Sequence, residues 1–354
     1  MVSLSEVETL VSKRKNVSLN QRFKVRIQGL DAVRDFEKGL ITNPEAFTKR
    51  QCPICNKNSA IEIGQVDVMP IQECSGCGMK FCGLMSAGKF DLSYADDRWR
   101  KHKSNNVGAE VNFGSYIKSL RTELRGLVDF DKPLRFLDFG CGSGDFIGAA
   151  RELNWEPYGL DINADLRKNV EERYGIPIYS DIDDIESNIK FDVVWMSYVA
   201  CLLPDPIRTF KEINKHLSEK GILIISDINY DGYCVRKNGL DHYYYALPQV
   251  NFWSRDSLAL ALKSSGFSNI LKFTERKFSP FNLLDGMHFR HKYFHPVSLK
   301  LCSRSKTATL VRSVVTTYLF RKAFGVLWRI LKLVSFGRVT NIGFGNSITV
   351  AARK

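Results

Sequence analysis

Two groups of residues in this 354-residue sequence have the types and spacing to do chemistry. The first is Cys52-Pro-Ile-Cys55 followed, after 18 residues, by Cys74-Ser-Gly-Cys77-Gly78. Paired CxxC knuckles set four thiolates around a tetrahedral ion, and a glycine after the second pair allows its tight turn. Zinc is the expected ion, with Cys52, Cys55, Cys74 and Cys77 filling every position, so its role is structural. The alternative is four free buried thiols. Cys82 is left for packing. The second group is a glycine turn, Gly140-Cys-Gly142-Ser-Gly144, with three aspartates, Asp138, Asp161 and Asp181.

The turn follows an apolar run, Leu134 to Phe139, and precedes a helix expected from Asp145. Glycine tolerates positive φ and has no Cβ, so a ligand can approach such a backbone closely. In an open parallel sheet, that approach is made at the carboxyl ends of the strands. The spacing is GxGxG, and an acid inside the strand end, Asp138, sits badly beside a pyrophosphate but suits a cation. Asp161 lies 19 residues beyond Gly142, where a carboxylate can accept from both hydroxyls of a ribose. Asp181 could accept from an adenine amino group. An adenosine bearing a positive charge and no phosphate is S-adenosylmethionine. Taken singly, Asp161 or Asp181 is equally a solvated cap.

These residues must be carried by an alternation of strands and helices, the pattern of a parallel sheet. Strands are expected at 135–139, 156–161, 176–180, 191–197, 221–227 and 269–275, and again at the final segment 347–352. Helices are expected at 145–153, 164–173, 206–217 and 255–265. The fold class is therefore α/β, a Rossmann-like seven-stranded sheet. The expected organisation is a helical segment over 1–50, a zinc ribbon over 51–90, a helical linker over 91–130 with its best helix at 115–128, and the sheet domain over 131–354. A basic helical insertion over 276–345 precedes the last strand.

Charge is placed unevenly. From Met287 to the end there are 13 Lys or Arg and no Asp or Glu, so the whole net charge of +13 sits in that stretch. Such a block suits an anionic or phosphate-bearing partner. The first 30 residues lack a signal-peptide pattern and no apolar run is long enough to span a bilayer. With CxxC pairs in place of a disulfide framework, a cytoplasmic location is expected, with a peripheral position at the inner membrane surface as the alternative.

In order along the chain stand Leu-Asp-Phe-Gly-Cys-Gly-Ser-Gly (137–144), Tyr-Gly-Leu-Asp (158–161), Phe-Asp-Val-Val-Trp-Met-Ser (191–197), Pro204-Asp205-Pro206 and Gly-Ile-Leu-Ile-Ile (221–225). This set resembles the class I S-adenosylmethionine-dependent methyltransferases over about 134–275 plus the last strand. The resemblance implies that Asp138, Gly140, Gly142 and Gly144 cradle the methionine part. It gives Asp161 to the ribose, Asp181 to the adenine, and Met196 and Ser197 to the floor, with Ile162 also among the cofactor-binding residues. Many relatives carry Leu-Glu-His after the fourth strand; here the matching residues are Ala200, Cys201 and Leu202, so that chemistry does not carry over. A zinc ribbon ahead of such a core resembles a bacterial branch found in sugar and surface-glycan biosynthesis. It also resembles certain ribosomal RNA guanine methyltransferases, though those use a histidine in the second knuckle.

A hydroxyl acceptor needs alignment and a base. His242, in Asp241-His242-Tyr243-Tyr244-Tyr245, is the best candidate base, with Asp241 able to orient it. Equally, that run is an aromatic lid with His242 on its surface. Tyr198 is a second lining candidate. In the insertion, His288, His291 and His295 share one helical face by spacing. They lack a carboxylate partner for a metal triad, and phosphate contacts or plain surface histidines fit better. Residues 318–334 read as a basic amphipathic helix, suited to an anionic membrane surface or to a lid on the core. The expected function is methylation of a sugar in a nucleotide-sugar or lipid-linked glycan intermediate. An RNA methyltransferase and a non-catalytic cofactor-binding scaffold are the alternatives.

Overall fold

The computed structural model describes residues 3–15, 40–41, 43–66, 68–86, 112–232, 235–236, 239–242, 245, 249–275 and 347–354. The expected insertion over 276–345, with its three histidines and basic helix, lies outside the described residues. So do 87–111 of the expected ribbon end and linker, and Tyr243 and Tyr244. Among the described residues, no helix is long and apolar enough to cross a membrane.

The amino-terminal part opens with helix α1 (Leu4–Lys15) and continues into strand β1 (Phe47–Lys49). Residues 47–49 fall in the segment expected to be helical. They pair antiparallel with β5 (Leu84–Ser86) instead, which buries Phe47 in a cluster with Leu84 and Val7. Between them, β2 (Ala60–Val66), β3 (Met69–Cys74) and β4 (Lys80–Cys82) form an antiparallel sheet; Cys52 and Cys55 lie ahead of β2, Cys74 ends β3 and Cys77 lies in the turn to β4. Helix α2 (Gly114–Glu123) is shorter than the expected 115–128, because the chain turns at Leu124 and Gly126 takes a left-handed φ of 73°.

The main sheet is built from β6 (Arg135–Phe139), β7 (Glu156–Leu160), β8 (Ile178–Tyr179), β9 (Phe191–Ser197), β10 (Leu217–Ile228), β12 (Asn269–Glu275) and β13 (Ser347–Arg353). A two-residue strand, β11 (Asn251–Phe252), falls between β10 and β12 in the chain. The order across the main sheet is β12-β13-β10-β9-β6-β7-β8. Strands β6 to β10 run parallel, and β13 is antiparallel to both its neighbours. The connecting helices are α3 (Asp145–Glu152), α4 (Ala164–Tyr174), α5 (Pro206–His216) and α6 (Arg255–Ser264).

Both faces of this sheet are covered, so its strands read as continuous apolar runs. Phe136, Val193, Trp195, Ile222 and Ile224 pack on one face with Ala149 and Ala150 of α3. Leu137, Val194, Met196, Leu223 and Ile225 pack on the other with Phe210 of α5 and Leu258 of α6. That second core is continuous with Cys52, Cys74, Met79 and Phe81. The cysteine-bearing part therefore shares a core with the sheet. Backbone pairing joins them as well: β11, which follows the main parallel run in the chain, pairs antiparallel with β4 and becomes a fourth strand of the small sheet.

Candidate active site

The glycine turn joins β6 to α3 at the carboxyl edge, with φ values of 78°, 54° and 74° at Gly140, Gly142 and Gly144. Only glycine takes three such conformations so close together without strain. The amides of Gly140 and Cys141 donate to the Leu160 carbonyl at 2.7 and 2.9 Å, fixing the turn against the end of β7. A Cβ at Gly140 would stand 2.4 Å from Val199 Cγ2, whereas one at Gly142 would meet nothing within 4 Å. Open space above Gly142 is where a ligand could lie on bare backbone.

Asp161, at the end of β7, accepts the Gly142 amide at 2.8 Å through Oδ2 and the Asn163 amide at 3.0 Å through Oδ1. Each carboxylate oxygen keeps a further lone pair for a hydroxyl. Burial pushes its carboxyl up, opposed by those two amides and by Arg167. Arg167 also donates to the Asp161 carbonyl at 2.9 Å. Next to it Ile162 is 56% exposed, a large apolar face at a polar edge. Asp138 is buried at the end of β6. Burial and the charges of Asp138 and Asp161 push the Cys141 thiol up, disfavouring its thiolate. Asp181 is exposed and caps a short turn, accepting the Asp183 amide at 3.2 Å.

Met196 and Ser197 end β9, with Met196 directly beside Phe139 of β6. Tyr198 follows with φ of 57°, which is rare for an aromatic residue, and it is 45% exposed. Strain of that kind clusters at functional edges. Thus Asp138, the three glycines, Asp161, Ile162, Met196, Ser197 and Tyr198 come to one edge of the sheet across β6, β7 and β9. Asp181 stands at the same edge after β8.

His242 is placed differently. It is buried, not on a surface, and its amide donates to the Gly239 carbonyl at 3.1 Å. The turn that leads to it packs Leu240 against β2, and Tyr245 sets its ring against those of Tyr230 and Phe252. This stretch therefore lies between β10 and the small sheet. A cleft of about 230 Å³ opens there, lined by Glu73 and Lys80 of the small sheet, Tyr230 and Asp231 after β10, Phe252 and Asp256. Burial and the nearby Asp231 and Glu73 push the Tyr245 phenol up to about 12.

The four cysteines converge. Their sulfurs all lie within 4.8 Å of one another, with Cys52 to Cys77 at 3.4 Å and Cys55 to Cys74 at 3.5 Å. Sulfurs held about 2.3 Å from a tetrahedral zinc would be roughly 3.8 Å apart, so the set fits that ion. Burial resists ionisation of Cys74, yet the Gly76 and Cys77 amides and the neighbouring thiols outweigh it and bring it to about 7.

Two further side chains near this edge carry no role in the reading of the sequence. Asp227 ends β10, fully buried, and accepts the amides of Ile228 (2.7 Å) and Cys201 (2.8 Å). Burial pushes its carboxyl up to about 6 against those two bonds. Its signal is present in the sequence: an acid closing a buried apolar strand, as at Asp138. Arg50, just ahead of the first cysteine pair, reaches the loop after β9; a basic residue beside a CxxC carries no such signal.

Residues 113–272 match a family described as a methyltransferase domain, a span that takes in the glycine turn, Asp161 and all five parallel strands. The chain carries a methyltransferase domain. The match leaves the four-cysteine part of this methyltransferase outside it. No curated protein matches the sequence at a significant level. Among solved structures, it is similar to an S-adenosylmethionine-dependent methyltransferase of Archaeoglobus fulgidus, at 16% identity over 72% of this chain and 99% of that one, TM-score 0.44. A possible histamine N-methyltransferase of Thermotoga maritima is 14% identical over 74% and 97%, TM-score 0.43. A sugar N-methyltransferase of Streptoalloteichus is 19% identical over 36% and 53%, TM-score 0.31. At these scores they add nothing to the topology.

Proposed function

We propose that this methyltransferase acts on a sugar, carried on a phosphate-bearing nucleotide or lipid, with the sugar ring seated between the small cysteine-bearing sheet and the end of β10. The observation that carries this reading is the cleft itself, where Glu73, Asp231, Asp256 and Lys80 surround two aromatic side chains. Carboxylates accept from vicinal hydroxyls and an ammonium donates to ring oxygens, which is how a polyol is held, over a base closed by the buried Tyr230 and Phe252. The basic surplus after Met287 suits the phosphate.

S-adenosylmethionine, when bound, supplies a methyl group already activated on a sulfonium. Asp138 and the three glycines hold its methionine part, the open backbone at Gly142 being the fit. Asp161 takes the ribose hydroxyls, Ile162 lies on the adenine, Asp181 accepts its amino group, and Met196 and Ser197 form the floor. Tyr198 lines the acceptor side, and His242 takes the proton from an acceptor hydroxyl. Zinc on Cys52, Cys55, Cys74 and Cys77 holds the small sheet together.

The test is transfer of labelled methyl to a pool of nucleotide-sugars and lipid-linked glycans, read as a mass gain of one methylene. Asp231→Asn should raise KM for that acceptor while leaving S-adenosylhomocysteine affinity unchanged. Salt-sensitive binding and methylation of RNA, with no transfer to any sugar, would replace this reading with an RNA substrate.

A further inference from the structure

Arg50 stands two residues ahead of Cys52, and neither the metal set nor the cofactor site uses it. Its backbone belongs to the cysteine-bearing part: just past β1, its amide donates to the Gly83 carbonyl at 2.9 Å. Its guanidinium lies 5.9 Å from the Phe81 ring centre. From there the side chain crosses to the methyltransferase domain. Nη1 donates to the Val250 carbonyl at 2.9 Å, and Nη2 to the Pro204 carbonyl and to Asn251 Oδ1, both at 2.8 Å.

The network continues beyond it. Asn251 Nδ2 donates to the carbonyls of Ala200 (3.0 Å) and Leu203 (2.8 Å). The Val250 amide donates to the Cys201 carbonyl at 2.9 Å, and Asp227 Oδ2 accepts the Cys201 amide. The loop of residues 200–204 is thus held on one side by Arg50 and Asn251 and on the other by Asp227. It extends directly from Tyr198 and from Val199, whose Cγ2 presses on Gly140. Arg50 is half-buried, and a guanidinium drawn partly out of water to meet neutral oxygens gains little on its own. Its rigid fork nonetheless fixes the geometry of the oxygens it meets.

We infer that Arg50 is a positioning residue for the methyltransferase site. It carries the hold of the four-cysteine part onto the loop after β9 and, through Val199, onto the glycine turn. This rests on the cofactor lying at that turn. Cofactor affinity is then set in part by a residue that never touches the cofactor, at the root of the cysteine-bearing part.

The full-length, zinc-loaded protein is compared with Arg50→Met, Arg50→Lys, Asn251→Ala and the Arg50→Met/Asn251→Ala double variant. Trp155→Leu, at the amino edge of the sheet, serves as a control for general loss of stability. Hydrogen exchange at the Cys201 and Val250 amides and calorimetric binding of S-adenosylhomocysteine are measured, with zinc content as a check. In Arg50→Met, exchange at both amides should rise and the Kd should rise about tenfold, with zinc retained. Arg50→Lys should fall between, because an ammonium keeps the charge and loses the fork. The double variant should be no weaker than the worse single one, as expected of residues acting as a unit. Unchanged exchange at Cys201 and Val250 overturns the proposal, as does an equal Kd increase in Trp155→Leu or additive single effects. If the wild-type protein ignores S-adenosylhomocysteine, the cofactor assignment fails, and the exchange of those two amides still decides whether Arg50 holds the loop.

Discussion

The glycine turn and the junction with the cysteine-bearing part are built in opposite ways. At the turn and the helix cap beside it, bonds close over short stretches: Gly142 reaches Asp161 across 19 residues, and Leu166 reaches Asn163 across three. At the junction, Arg50 reaches Val250 across 200 residues, and β11 returns to pair with β4. The first is a local device that any strand-turn-helix can carry. The second is a closure, made only when chain segments far apart in sequence meet. Local devices fail by loss of their own residues; closures fail when a remote anchor is cut.

The largest expected effect follows from that difference. Cys74→Ser removes one of four converging sulfurs, and with the proposed zinc on that set a small sheet of few residues would depend on the ion to fold. A loss on the order of 4 kcal/mol or more is expected, read as a Tm lower by roughly 10 °C together with loss of zinc. Since Cys74 shares a core with the main sheet, the melting transition should shift as one. A separate, earlier transition with the sheet's Tm unchanged would break the comparison, showing two parts that stand alone.

On the local side, Asp161→Ala should weaken S-adenosylhomocysteine binding by about 100-fold, the equivalent of two charged hydrogen bonds to ribose hydroxyls. Zinc content should stay as in the wild type. Calorimetry decides it: an affinity within a factor of about two would take Asp161 out of the cofactor site.

This contrast also explains how much was legible in the sequence. The strand at 135–139, the glycine turn and the helix after it were each readable, because apolar runs and glycines act on their neighbours. The strands at 191–197 and 269–275 agree with the structure to the residue. Strand β10 begins four residues earlier than expected, since Glu219 and Lys220 look like a turn but lie at an irregularity between Leu217 and Ile222. Two-residue β11 has no pattern of its own; it exists because β4 offers an edge. For the same reason nothing near residue 50 announces a bond to residue 250. The four sulfurs converge as their spacing required, and Asp161 stands on the turn as its position required. Asp227 was within reach of the same reasoning that singled out Asp138.

The smallest effect sharpens the comparison at Asp227, where the two sides meet. Its carboxyl is pushed up to about 6 by burial, above the value of about 4 expected for an unfolded chain. The folded state therefore holds its proton more tightly, so the stability Asp227 contributes is full below about pH 4 and declines as pH rises to about 6. The stability of the wild type relative to Asp227→Asn should then increase by on the order of 2 kcal/mol as pH falls from about 7 to about 4. Denaturant titrations of both proteins at each pH measure this slope, which is independent of the constant cost of the substitution. A difference that stays flat would mean that Asp227 remains ionised throughout, held by the Cys201 and Ile228 amides more firmly than burial opposes. In that case the loop after β9 would owe its position to a permanent buried charge, and that end of the junction would be as locally determined as the glycine turn.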